Sequence, residues 1–204
     1  MERSGAEIGA GGASARAGAP ARECGECSLC CTVLRVDEIG KLGGKSCRHQ
    51  RVEGGCAIHA QRPQICRAYR CLWLKGSFRD ADRPDLLDAV VDLVPEGGLV
   101  VLAIRQARPG AYDDSVRLQE IAAEFRQSMP VRITDVEDVL NADRPFRVLL
   151  PDGTEQRVSG EQISIYRDGE LVEERRLSWL ERIARNALVK LRQFKLRRVR
   201  SRSV

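Results

Sequence analysis

The 204-residue chain reads as an α+β protein. A small, irregular, metal-stabilised cysteine-cluster module is expected to pack with a hairpin-rich α/β C-terminal part and a terminal basic amphipathic helix. Three observations predict this. All eight cysteines fall between Cys24 and Cys71, in a stretch with few large apolar side chains to bury. Beyond about residue 85, β-rich runs are separated by turn signals, with helical patterns interposed. From about residue 175, apolar residues recur at three- and four-residue intervals opposite a dense basic face.

Composition narrows the function classes. Hydrophobic residues make up 43% and charged residues 31%, ordinary for a soluble globular chain. Aromatics reach only 4%, so packing must lean on Leu, Val, Ile and Ala. No apolar run approaches the ~20 residues needed to cross a bilayer; the longest, residues 99–104, is strand-sized. The N-terminus lacks the apolar stretch of a secretory signal. The expectation is a cytoplasmic protein with no transmembrane segment. Its thiols should stay reduced and serve as metal ligands or redox catalysts rather than disulfides.

In chain order, residues 1–21 are rich in Gly, Ala, Ser and Arg without hydrophobic period and read as a disordered tail. Residues 22–84 form the cysteine module, punctuated by Gly40, Gly43, Gly44, Gly54 and Gly55. A segment this poor in core is marginal alone. Structural zinc can contribute on the order of 10–16 kcal/mol of coupled binding and folding, so the metal is expected to be part of the fold. Asp80, Asp82 and Asp85 read as a solvated loop.

Residues 85–174 form the α+β part. Runs 88–94 and 99–104 flank a hairpin turn at residues 95–98. Asp113, Asp114 and Ser115 cap a helix with Val116, Ile121, Ala122, Phe125 and Met129 close to one face. A strand over 131–134 and a short helix over 135–140 follow. Two more hairpins pair 146–150 with 155–158 and 163–166 with 171–174; the second turns at Asp168-Gly169, the strongest short-range hairpin cue.

Residues 175–204 carry the basic helix, over 175–198, and its tail. Leu177, Leu180, Ala184, Ala187, Leu188, Leu191 and Phe194 make one stripe. Arginines and lysines fill the opposite face. Three partners fit it: a protein surface on which the helix docks, nucleic acid held through phosphate neutralisation, or an anionic membrane.

The cysteines read Cys24-x2-Cys27-x2-Cys30-Cys31, then Cys47, Cys56-x2-His59 and Cys66-x4-Cys71. Two intervening residues let the backbone turn so that both sulfurs reach one ion. Cys31 directly follows Cys30, and neighbouring side chains diverge, so one of the pair is expected to serve a second site, a bridge or the core. Gly25, Gly54 and Gly55 suit close backbone approach. Arg62, Pro63 and Arg67 surround Cys66: the proline stiffens the turn and the arginines would depress the thiol pKa. Tyr69, Trp73 and Phe78 read as packing that shields the centre from water. His49 reads as exposed between Arg48 and Arg51. All eight cysteines are candidate ligands.

The segments Cys24-Gly-Glu-Cys27-Ser-Leu-Cys30-Cys31, Gly55-Cys-Ala-Ile-His59 and Arg62-Pro-Gln-Ile-Cys-Arg67 resemble the CxxCxxCC family of zinc- or iron-chelating proteins, the YkgJ-like cysteine-cluster proteins. The resemblance covers roughly residues 22–80 and implies metal chelation. His59 departs from it, standing where the family carries an aromatic residue, usually Tyr: a substitute at a packing position, or an added ligand. Flagellin lysine methylases carry a similar cluster, which keeps an enzyme reading open.

Two metal assignments compete. An iron–sulfur cluster would take three or four thiolates from the Cys24 run with later cysteines; alternatively, the donors would fill two four-coordinate zinc sites. A three-cysteine run at two-residue intervals is a ferredoxin habit and favours iron–sulfur. The leading function is a metal-binding module. A cluster-containing enzyme, redox or methyltransferase-like, and a nucleic-acid-associated factor with structural zinc are the alternatives.

Overall fold

The structure, a computed structural model, describes residues 22–135 and 144–200. The tail expected over 1–21 lies outside these residues, as does all but Asp135 of the helix expected over 135–140. The architecture is mixed α+β, as the sequence predicts, with a seven-stranded sheet and a long C-terminal helix.

In the first third the helices are short: α1 (Leu29–Val33), α2 (Gln64–Ala68) and α3 (Pro84–Leu87). Irregular turns join them, because a glycine-punctuated segment without apolar period cannot sustain longer helices. Strands β1 (Ala89–Glu96) and β2 (Leu99–Gln106) follow, then helices α4 (Ala111–Asp114) and α5 (Val116–Arg126). The sheet is completed by β3 (Val131–Thr134), β4 (Phe146–Leu149), β5 (Thr154–Ser159), β6 (Gln162–Arg167) and β7 (Glu170–Arg176). The strands lie side by side in sequence order. Only β2 and β3 run parallel, and a parallel pair needs a crossover rather than a tight turn. Helices α4 and α5 lie in that crossover.

The expected hairpins form. Gly97 and Gly98 have φ of +59° and +84°, and Asp168 and Gly169 have +52° and +85°, the paired positive values of the tightest hairpin turns. Pro95 lies inside β1 rather than in the turn. Because β1 is an edge strand, the missing N–H there costs no ladder bond.

Ser115 caps the expected helix, its hydroxyl accepting the Leu118 N–H at 3.2 Å, and the short α4 precedes it. The buried stripe then runs through Leu118, Ile121 and Ala122, and Val116 is 71% exposed. Helix α6 (Trp179–Arg200) starts after residue 175, because residues 170–176 pair with β6. A reciprocal cap fixes its start: the Glu181 N–H donates to Ser178 Oγ at 3.3 Å, and the Ser178 N–H to Glu181 Oε2 at 2.7 Å. Leu180, Leu188, Leu191 and Phe194 are exposed, while Leu177 at the start of the stripe is half-buried. The helix is tied to the sheet end by Arg182–Glu161 at 2.7 Å and by Arg185 Nη1 donating to the Gly160 carbonyl at 2.5 Å.

Alternation along β1–β3 makes two faces. Ala89, Val91, Leu102, Ile104, Val131 and Ile133 join Leu118, Ile121 and Ala122 of α5 in the core. Leu72 and Leu87 complete that cluster, and the Phe78 ring packs edge-on against Phe125 at 6.3 Å. Phe78 therefore belongs to the core on this face rather than shielding the cysteines. The opposite face carries Val90, Asp92, Ala103, Arg105, Arg132 and Thr134 and looks onto the cysteines.

The acidic loop is also not the solvated one expected. Asp82 is 3% exposed and takes both Arg117 Nε and Nη2 at 2.9 Å, while accepting the Arg79 N–H at 3.0 Å. This ion pair, buried at its Asp82 end, joins the first third of the chain to α5. Arg83 grips Asp85 through two bonds of 2.7 and 2.8 Å. Only Asp80 is open to solvent, paired with Arg22 at 2.7 Å.

Candidate metal centre

All eight cysteines are free, half-buried thiols, and all eight line one cavity of about 580 Å³ between the first third and the β1–β3 face. Local hydrogen bonds bring their segments together. The Cys27 N–H closes a turn onto the Cys24 carbonyl at 2.9 Å, and Cys47 N–H reaches the Cys31 carbonyl at 3.1 Å. Gln50 pairs with Cys56 in an isolated bridge. Its side chain meets Ser28 Oγ at 3.0 Å and Thr32 Oγ1 at 3.2 Å, tying the Cys47–Cys56 loop to α1, which carries Cys30 and Cys31. Cys66 lies on α2, and Cys71 precedes Leu72, whose N–H bonds to the Val91 carbonyl of β1 at 3.0 Å.

Two charged residues that the sequence did not single out fix the helices. The Glu38 carboxylate accepts the Gln64 and Ile65 N–H groups at 3.0 and 2.9 Å, satisfying the otherwise unpaired first turn of α2. Lys41 is 7% exposed and donates to the Thr32 carbonyl at 2.7 Å and to the Leu34 carbonyl, closing the C-terminal end of α1. Burial pushes its ammonium below the ordinary range, while the neighbouring thiols of Cys31, Cys47, Cys30 and Cys66 hold it up.

The glycines behave as expected. Gly54 has φ +96°, and a Cβ there would lie 2.4 Å from the Glu26 carbonyl oxygen. A Cβ on Gly55 would lie 3.3 Å from the Gly25 carbonyl oxygen. The loop before Cys56 thus presses on the Cys24–Cys27 turn. Gly54→Ala should lower unfolding stability by about 2 kcal/mol or more, since the left-handed backbone alone costs ~1–2 kcal/mol and a rigid backbone clash adds to it. Gly25→Ala, with φ +52° and open space around it, should cost only the backbone term. Equal urea midpoints for the two variants would contradict the close approach.

The thiols group unevenly. Cys30 lies within electrostatic reach of Cys24 and Cys27, and Cys71 of Cys24. Cys66 lies within reach of Cys31, Cys47 and Cys56. These links also cross between the groups, since Cys24 lies within electrostatic reach of Cys31. The mutual influence of the adjacent Cys30 and Cys31 thiols pushes Cys30 up and Cys31 down. Lys41 and Arg62 also favour the Cys31 thiolate. Burial pushes Cys27 up to about 11, with the neighbouring Asp85 carboxylate adding to the rise.

The expectation for Cys66 is reversed. Burial and then the surrounding thiols of Cys31 and Cys47 raise it, whereas Arg62 acts on Cys24 and Cys31. His59 lines the cavity but is exposed and bonded to Arg62. His49, expected in solvent, is half-buried on the same cavity and accepts from Arg48 Nε at 3.2 Å. Tyr69 and Trp73 line the cavity as expected.

Among the described residues, no three or more His, Cys, Asp or Glu side chains stand as a preformed coordination group. Neutral thiols have no mutual attraction to gather them; ligation requires their deprotonation, and the binding itself draws the ligands in. The donor set nonetheless has the right chemistry, soft sulfur with buried cations nearby to offset thiolate charge. No family model, curated protein or solved structure matches this chain.

Proposed function

We propose that this chain binds a transition metal through its cysteines, as an iron–sulfur cluster or as zinc. The observation that carries the reading is that all eight thiols, dispersed from Cys24 to Cys71, face a single cavity. Structural thiols placed only for packing have no reason to converge from so many separate turns. Cys24, Cys27, Cys30 and Cys71 would supply one set of donors, and Cys31, Cys47, Cys56 and Cys66 the other. Lys41 and Arg62 would offset the charge of the second set. Bound zinc would supply a cross-link, and an iron–sulfur cluster a redox centre.

Oxygen-free purification followed by metal analysis and an absorption spectrum tests the proposal. Colourless protein with two zinc ions per chain would match two four-thiol sets. Brown protein with iron and acid-labile sulfide would identify a cluster. Folded protein that holds neither metal and ignores chelators would overturn the reading.

A further inference from the structure

The cavity wall facing the thiols is built from side chains that a metal centre does not use. In the register of the sheet Arg105 lies between Val90 of β1 and Thr134 of β3. All three line the cavity. Arg105 Nη1 is buried with no hydrogen-bond partner, and the Tyr69 hydroxyl across the cavity lining is buried and unpartnered in the same way. Tyr69 lies within electrostatic reach of both Asp92 and Arg105.

A buried donor left without an acceptor costs about 1–3 kcal/mol, and more when charged. Four of them line this one cavity, Arg62 Nε, the Tyr69 hydroxyl, Arg105 Nη1 and Arg132 Nε, and mark a place where an acceptor belongs. The carboxylates that share the cavity are already engaged. Asp92 accepts the Leu93 N–H at 2.9 Å and faces Lys75 at 3.6 Å. Glu96 pairs with Arg132, and Asp135 accepts from Gln106 at 2.7 Å. Arg132 itself lies over the Phe146 ring at 4.4 Å and pairs with Glu96, while its Nε is buried and unpartnered like Arg105 Nη1. The surrounding Val90, Ala103 and Trp73 are apolar. The volume of about 580 Å³ falls in the range of roughly 300–1,000 Å³ typical of small-molecule sites.

We propose that this cavity also binds a small oxyanion-bearing molecule, a carboxylate or a phosphate, held by the Arg105 guanidinium and the Tyr69 hydroxyl. A guanidinium fork matches either oxyanion, and a neutral hydroxyl adds a directed donor. The site stands apart from the metal proposal, because neither residue is a cysteine.

Calorimetric titration of the full chain with succinate and with inorganic phosphate tests it, with metal content measured in parallel. At least one probe should bind saturably with a Kd of ~1 mM or tighter, and the one that binds identifies the oxyanion. Arg105→Met should weaken that binding at least about tenfold, Arg105→Lys less, and Tyr69→Phe several-fold. Metal content should be the same in all variants. Since Arg105→Met removes a buried donor that lacks a partner, its thermal midpoint should equal or exceed that of the parent chain. Failure of both probes to bind, parental affinity in Arg105→Met, or a marked loss of stability in that variant would each overturn the proposal.

Discussion

Cys27→Ser and Cys66→Ser are each expected to lose bound metal and to destabilise the first third of the chain. The two positions are far apart in sequence, one just before α1 and one on α2, yet both line the same cavity. If both thiolates hold metal, each substitution removes a donor directly. Residues that merely support a ligand already change affinity by ~10–100-fold, so loss of a ligand should cost on the order of 100-fold or more. The unfolding midpoint should fall in parallel, because metal binding and folding are coupled. Chelator-treated parent protein should then resemble the two variants. Unchanged metal content in both would remove the ligand assignment, and a midpoint that fell without loss of metal would show that the thiols serve packing alone.

Asp82→Ala is expected to cost about 1–3 kcal/mol, the penalty for leaving donors without their buried acceptor, since Arg117 is 26% exposed and keeps Glu120 at 3.0 Å. The Arg117 guanidinium loses both of its bonds to Asp82, and the Arg79 N–H loses its acceptor. The hydrogen bonds from Arg117 hold the Asp82 carboxyl below the ordinary carboxylate range. A group lowered on folding stabilises fully above its unfolded pKa, and that contribution fades as pH falls through the folded value. The parent chain should therefore lose stability on acidification more steeply than Asp82→Asn, which has no proton to take up there. Urea titrations at neutral and acidic pH read both effects. A loss below ~1 kcal/mol at neutral pH would place the pair among weak surface bridges.

Much of the sheet was legible because its turns are written in a few residues. Gly97-Gly98 and Asp168-Gly169 demand positive φ, and the runs beside them alternate. The start of α6 is misplaced by reading period without caps: the Ser178–Glu181 pair is a short signal that sets it, as Ser115 sets the start of α5. The convergence of the thiols on one cavity could be anticipated from spacing. The residues that arrange the cavity could not. Glu38 caps a helix 26 positions away and Asp82 meets Arg117 across 35, and no local pattern encodes such pairings. Arg105 is one arginine among many until the register of β2 aims it at the cysteines instead of the core.

That register has an evolutionary side. In β1–β3 every second residue belongs to the hydrocarbon interior and the intervening ones to the cavity wall, so neighbouring codons answer to different selective demands. Changes at Val90, Ala103, Arg105 or Thr134 can redraw ligand preference while Val91, Leu102, Ile104 and Ile133 keep the scaffold intact. A shift of one residue in strand pairing would drive Arg105 and Asp92 into the interior. Insertions within these strands should therefore be purged, whereas point substitutions on the wall should be tolerated, leaving the pocket free to diversify on an unchanging frame.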